Sequence, residues 1–289
     1  MANLYLVATP IGNLEDITLR ALKVLKEVDY IAAEDTRRTR ELLAHYGLHT
    51  PLTSYHHHNR ASKTPYLLSL LQEGKEIALV SDAGLPGISD PGEELVQQAI
   101  VAGIKVIPIP GANAALTALV ASGLPTGRFA FEGFLPRSPG ARRQKLQKLA
   151  GEERTLVFYE APHRLLATLQ DMVAIMGERQ VVVGRELTKK FESFWRGTLA
   201  AAVDHFHAEP PRGEITLVVA GAAAPPLPSF DPERAAAEVA ALEAKGIGRK
   251  EAMARVARAY GRSRREVYRA CLSKASPELP GQPQKEDTS

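Results

Sequence analysis

The stretch VSDAGLPGISDPG, residues 80–92, follows a short β-like run, IALV, and precedes EELVQQAIVAG, an amphipathic helical pattern. Three glycines, two prolines and two aspartates cannot extend a strand or fill a helix: Gly relaxes the backbone, and Pro fixes φ and lacks an N–H donor. The stretch is therefore a shaped loop at the end of a strand. Outward from it the same rhythm recurs: LYLVAT, LRALKVLKEV, YIAAE, TRRTRELLAHYG, EIALV with its helix, and IKVIPI. Strands separated by helices imply a mostly parallel sheet covered on both faces, with ligands gathering at the carboxyl ends of the strands.

A second series begins near Ala114. AALTALVASGL is helical, FAFEGFL a strand, ARRQKLQKLA a basic helix, TLVFYEA a strand, HRLLATLQDMVAIMG a helix, and QVVVGREL and EITLVVAG strands. The expectation is α/β: two α/β domains, 1–113 and 114–224. A Pro/Ala-rich linker and a helical appendage then fill 225–276, and 277–289 form a disordered tail. Within the appendage, two short helices joined by YGRS have the outline of a helix-turn-helix, although any small helical hairpin needs the same Ala, Val and Leu spacing.

Composition sets the class. The 289 residues are 45% hydrophobic and 24% charged, as in soluble globular proteins. No window approaches a membrane span, and the first residues lack a signal-like basic and apolar pattern, so a cytoplasmic protein is expected. The lone Cys271 excludes an intramolecular disulfide framework and a Cys-rich metal cluster. Net charge is only +3, yet nine Lys/Arg stand against Glu251 and Glu266 between Arg249 and Lys274. Such a stretch suits a polyanion or a solvated helix face.

The usual nucleotide signatures, G-x-G-x-x-G after the first strand and G-x-x-x-x-G-K-[ST], do not occur. Instead the first strand runs into ATPIGN, and a later one into IPGANAA, both tight turns that let backbone approach a ligand. Taken in order, LVATPIGNLEDITLRAL, AEDTRRTRELL, SYHHHN, VSDAGLPGISDPGEELV, IPGANAALTALVASGLP, GFLPR, FYEAPHRL, GRELTKKFE and GEITLVVAG resemble the 16S ribosomal RNA cytidine 2′-O-ribose methyltransferases of the tetrapyrrole methylase superfamily. The resemblance covers about residues 3–221, and the helical appendage is similar to that of the family's longer members.

The resemblance implies two α/β domains with S-adenosylmethionine in the cleft between them, a homodimer, and a cytidine of 16S rRNA in the decoding region of the small ribosomal subunit as substrate. Carried over position by position, it places Asp82, Ala83, Gly84, Gly87 and Ile88 of the quoted loop at the cofactor, with Pro10, Asn113 and Ala114. Tyr159, Glu160, Leu187, Glu214 and Ile215 would close over it from the second domain. Asp82 equally suits a turn brace or helix cap.

Methyl transfer is an in-line displacement, so positioning the hydroxyl and accepting its proton are the protein's tasks. In related tetrapyrrole methylases an acidic residue after the second strand is the proton acceptor. Asp35 matches it, with Glu34 and His56 as further catalytic candidates, while Asp35 also suits the N-cap of TRRTRELL. The resemblance makes His56, His58 and Asn59 substrate-facing groups, and Arg37 and Arg137 are candidate substrate contacts. Arg142, Arg143, Lys145 and Lys148 form a basic row that could track an RNA backbone. A metal at the consecutive histidines is not expected, since neighbours in sequence point apart and lack Cys or carboxylate partners. Two other functions compete: C-methylation of a tetrapyrrole, and a non-catalytic sensor of S-adenosylmethionine that binds nucleic acid.

Overall fold

The computed structural model describes residues 2–223 and 228–273, so the tail expected at 277–289 lies outside the described residues. The chain divides into two compact units, Met1–Ala223 and Ala224–Ser289.

The first unit holds two five-stranded sheets. β1 (Asn3–Val7), β2 (Tyr30–Ala33), β3 (Leu52–Ser54), β4 (Ile77–Val80) and β5 (Lys105–Ile109) form the first, in the order β3-β2-β4-β1-β5. All its pairings are parallel, as the alternation of strands and helices requires. The central β4 is buried on both faces. Ile77 and Leu79 pack with Leu4, Leu67, Leu71 and Leu95 on one side. Ala78 and Val80 pack with Val7, Ala21, Leu25, Ile31 and Leu43 on the other. One side is covered by α1 (Leu19–Glu27) and α2 (Thr36–His45), the other by α3 (Arg60–Gln72) and α4 (Glu93–Val101). α1 and α2 start at side-chain caps: Thr18 accepts from the Ala21 N–H and Asp35 from the Arg37 N–H. β3 and α3 carry no strong sequence signal; three half-buried residues make the strand, and Pro65 interrupts the helical pattern.

The second sheet consists of β6 (Phe129–Phe134), β7 (Thr155–Glu160), β8 (Gln180–Arg185), β9 (Ser193–Thr198) and β10 (Ile215–Val219), ordered β6-β7-β10-β8-β9. Only β6 and β7 pair in parallel; β10 lies antiparallel to both β7 and β8, and β9 to β8. This half is therefore a mixed sheet, and SFWRGT is its edge strand. Alternation sorts its faces. Leu156, Phe158, Val181, Val183, Leu217 and Val219 pack against α7 (Pro162–Met176) and α8 (Leu199–Ala208), with α6 (Pro139–Leu149) beside them. Val157, Val182 and Val218 face the opposite way, onto Ala115, Ala118 and Leu119 of α5 (Ala114–Ser122) and onto Ile11 and Leu187. Through α5 and Ile11 the two halves share one apolar seam.

The second unit packs α9 (Pro232–Ala244), α10 (Arg249–Ala259) and α11 (Arg264–Ser273) around Ala235, Val239, Ala252, Val256, Tyr260 and Val267. SRRE before α11 is a capping box: Glu266 accepts from the Ser263 N–H at 2.9 Å, and Ser263 Oγ accepts from the Glu266 N–H at 3.3 Å. Arg249, Arg255 and Arg262 pair with Glu243, Glu251 and Glu266. Lys250, Arg258, Arg264, Arg265 and Arg269 enter no ion pair among the described residues.

Candidate active site

The loops at the carboxyl ends of β1, β4 and β5 meet the second sheet. Thr9 and Gly84 exchange backbone hydrogen bonds of 2.9 and 3.0 Å, and Thr9 Oγ1 donates to the Ser81 carbonyl at 3.1 Å, tying ATPIGN to the SDAG turn. Gly84 holds φ at +84° there, a conformation that any L side chain would strain. Gly111 lets IPGANAA approach the first turn, because a Cβ on it would stand 2.8 Å from Ala8 Cβ. Three strand-end loops are thus held in one surface facing the other half.

Between the halves lies a cavity of about 360 Å³, within the range of small-molecule and cofactor sites. Asp82, Ala83, Gly84, Ile88, Asn113 and Ala114 line it from the first half, and Tyr159, Glu160, Leu187, Glu214 and Ile215 from the second. Pro10 and Gly87, expected with them, stand elsewhere. Pro10 lines an adjoining hollow of about 420 Å³ that shares Ile11, Arg38, Asp82, Ala83 and Glu214 with the first. Gly87 lines a groove beside His57 and Arg60. Sequence reasoning missed Ile11, Leu85, Ser89, Asp90, Phe134 and Thr216. Leu85, Ser89 and Asp90 belong to the opening stretch, so only assigning the whole loop to the cavity could have found them.

The carboxylates of the site differ by partner. Asp82 accepts from the Asp35 N–H at 2.9 Å and lies 3.3 Å from Arg38, so it braces the β2 and β4 loops against each other. Glu160 turns its carboxylate away from the cavity. It accepts from Thr168 Oγ1 at 2.6 Å and the Ala161 N–H at 2.8 Å and lies 3.3 Å from Arg164, leaving its main chain on the cavity. Glu214 pairs with Lys189 at 3.1 Å, which also holds Glu186. Burial, and then the nearby Asp82, push the half-buried Glu34 carboxyl above its ordinary range. Burial, then Glu34, push Asp90 up to about 6.

Asp35 takes the N-cap position of α2, and its carboxylate grips the Arg37 guanidinium through contacts of 3.1 and 2.7 Å. The Arg37 hydrogen bonds hold it far below the usual carboxylate range, the geometry of a cap rather than of an open proton acceptor. Asp35→Asn, which keeps a capping oxygen, should leave the melting temperature within about 2 °C and the methyl transfer that the resemblance implies within about threefold; a loss beyond tenfold would make the carboxylate charge essential.

Asn59 is spent on its own loop, accepting from the His56 N–H at 2.8 Å and donating to Ser54 Oγ at 3.0 Å and the Ser54 carbonyl at 3.2 Å. It orients the histidines. The buried His56 Nδ1 has no hydrogen-bond partner among the described residues, while His57 and His58 are exposed. Arg137 is exposed after β6. The basic row on α6 does not form. Arg142 is 5% exposed and pairs with Asp171 at 2.7 Å, Arg143 reaches the same carboxylate at 2.7 Å, and Lys145 holds Glu132 at 2.6 Å. The helix turns Arg142 inward with Leu146 and Leu149, so three of the four cations are engaged within the protein. Among the described residues no group of three or more His, Cys, Asp or Glu is arranged to hold a metal ion, and no helix is long and apolar enough to cross a membrane.

Two α/β halves closing strand-end loops over a cavity define a class, and the family of Tetrapyrrole (Corrin/Porphyrin) Methylases matches residues 3–203. Uroporphyrin-III C-methyl transferase from Thermus thermophilus complexed with S-adenyl homocysteine superposes with a TM-score of 0.54 at 20% identity, covering 75% of this chain and 97% of that one. Diphthine synthase does so with a TM-score of 0.57 at 14% identity, covering 76% and 90%. These likenesses concern the fold. Much nearer are proteins named Ribosomal RNA small subunit methyltransferase I. That of Synechocystis sp. is 55% identical over 94% of this chain and 98% of its own length, and that of Halalkalibacterium halodurans 52% over 92% and 93%. The chain belongs to the tetrapyrrole methylase family and, within it, to the ribosomal RNA small subunit methyltransferases I. It is a methyltransferase. A relative from Thermotoga maritima, 50% identical, matches 76% of this chain over 99% of its own length, so a family member exists at about the size of the first unit.

Proposed function

We propose that the protein transfers a methyl group from S-adenosylmethionine to the ribose 2′-hydroxyl of a cytidine in 16S rRNA, in the decoding region of the small ribosomal subunit, and that it works as a cytoplasmic homodimer. The observation that carries this reading is the cavity between the halves, built from the motif loops of a chain more than half identical to small-subunit RNA methyltransferases. The residues present fit the cofactor. Gly84, at φ +84°, leaves a cradle open to main-chain contact, Ile11, Ile88, Leu187 and Ile215 supply apolar wall, and the carboxylates of Asp82 and Glu214 suit a cationic ligand. Asp82–Gly84, Ile88, Asn113 and Ala114 would hold it from one side, Tyr159, Leu187, Glu214 and Ile215 from the other.

When bound, the cofactor supplies a methyl group on positively charged sulfur. The protein's own share is to hold the acceptor hydroxyl in line, keep water out with the apolar wall, and take a proton. The adjoining hollow and the groove that His57 and Arg60 border give a nucleotide two approaches to the cavity. Arg37, His58 and Arg137 remain candidate substrate contacts by their exposure. The test is transfer of labelled methyl from S-adenosylmethionine to small subunits lacking ribose methylation, with the product mapped by resistance to alkaline cleavage. One protected cytidine is expected; label on a tetrapyrrole, or none on RNA, would overturn the reading.

The unpaired cations of α10 and α11 give the second unit a sequence-independent affinity for RNA. A chain ending at Ala223 should fold, as the size of the T. maritima relative suggests, and should bind S-adenosylhomocysteine unchanged while RNA affinity drops about tenfold at low salt. Filter binding at two salt concentrations measures this, with the gap narrowing as salt rises.

A further inference from the structure

The acidic residues lining the cavity are Asp82, Asp90 and Glu214, with Glu160 contributing its main chain. Three are engaged: Asp82 with Arg38, Glu160 with Arg164, and Glu214 with Lys189. Asp90 forms no ion pair with any described residue, and it lines two hollows at once, the central cavity and the groove that His57 and Arg60 border. It therefore stands where a methyl donor in the cavity and a nucleotide entering by the groove would meet. A base must be within reach of the proton it takes and must not already be neutralised by a fixed cation.

We propose that Asp90 is the proton acceptor of the reaction, taking the 2′-hydroxyl proton as the ribose oxygen attacks. This rests on the function proposed above. The O–H bond breaks with its proton passing to the Asp90 carboxylate, and the oxygen lone pair forms the new O–CH3 bond. The S–CH3 bond breaks with its electron pair returning to sulfur, whose positive charge is thereby discharged.

The surroundings suit the task. Burial, then Glu34 and Asp82, raise the Asp90 carboxyl to about 6, offset in part by the Ser81 hydroxyl. Asp90 in turn adds to the burial that raises the Tyr159 phenol. On the groove side stand His57 and Arg60, with Glu93 and Glu94 at the start of α4; Arg60 lies 3.8 Å from Glu94. A carboxyl near 6 is a stronger base than an ordinary aspartate and is still mostly ionised at neutral pH. The sign follows: transfer needs the ionised form, so it should rise with pH through the Asp90 transition and level off above it.

The experiment compares wild type, Asp90→Asn and Asp90→Glu for kcat against pH on small subunits and for S-adenosylhomocysteine affinity by calorimetry. Carbon-13 NMR of the cofactor-free protein follows the Asp90 carboxyl, identified by its loss in Asp90→Asn. Expected are a wild-type rate that rises through about pH 6 and levels off above about pH 7, a loss of at least a hundredfold in Asp90→Asn with affinity kept within threefold, recovery of at least tenfold in Asp90→Glu, and a carboxyl titrating well above 4. Loss of affinity together with activity in both variants would make Asp90 a structural residue and overturn the inference. So would Asp90→Asn activity within tenfold of wild type, or a carboxyl titrating at its ordinary value. Wild type that methylates no RNA overturns the function and this inference together, whereas a wild type that methylates RNA independently of Asp90 overturns the inference alone.

Discussion

Asp171→Leu should lower the stability of the first unit by about 3–5 kcal/mol, a fall in melting temperature of roughly 6–20 °C for a unit of this size. Asp171 lies on α7, 5% exposed, and receives Arg142 Nε at 2.7 Å on one oxygen and Arg143 Nε at 2.7 Å on the other. Removing it leaves the buried Arg142 guanidinium without its counter-charge. Asp171→Leu with Arg142→Met replaces both partners by apolar groups and should recover most of the loss, because the cost of breaking a buried pair is mainly the orphaned charge. Denaturant melts of both variants decide this; equal losses would show that the pair itself stabilises. Burial alone would raise the Asp171 carboxyl, but the two arginines outweigh it and hold it below the usual range. Its stabilisation is therefore present above the unfolded value of about 3.9 and disappears as pH falls through the lower folded value. Wild type should lose stability below about pH 4, and Asp171→Leu should lose less.

Gly84→Val should weaken S-adenosylhomocysteine binding at least about thirtyfold, close to 2 kcal/mol, while Gly87→Val should change it less than threefold. The two glycines have nearly the same backbone conformation, φ +84° and +82°, so a β-branched residue meets similar strain at either. They differ in place. Gly84 lines the cavity, and a Cβ on it would touch Ile11 Cγ2 at 3.5 Å and the Ala112 carbonyl at 3.6 Å. Gly87 faces the outer groove with open space around it. Both variants should lose some stability by thermal melting, and calorimetry separates them. Equal losses of affinity would place Gly87 at the ligand with Gly84, as the resemblance implies.

The parallel first sheet was legible because 77–80 is an uninterrupted apolar run between a shaped loop and a helical pattern, and such a run fits a strand buried on both faces. The second half was read as α/β but not as a mixed sheet, since nothing local in EITLVVAG reports that β10 inserts between β7 and β8. SFWRGT was missed because its burial is partial and it pairs only with β8.

The site divides in the same way. Residue types in consecutive loops determined which strand ends would carry it: glycines at positive φ, asparagine at a cap and small alanines are local requirements written in local sequence. Which carboxylate is free and which is tied depends on side chains far apart in the chain. Asp35 and Asp90 are both aspartates in strand-end loops, yet Asp35 is held by its neighbour Arg37, while Asp90 forms no ion pair among the described residues as Arg38, Arg164 and Lys189 pair elsewhere. The basic look of ARRQKLQK was likewise a fact of sequence, and the burial of Arg142 against a carboxylate 29 residues away was settled by how α6 packs on α7. Local backbone preference acts over a few residues and can be read along the chain. Burial and charge pairing act through space, so only the folded arrangement decides them.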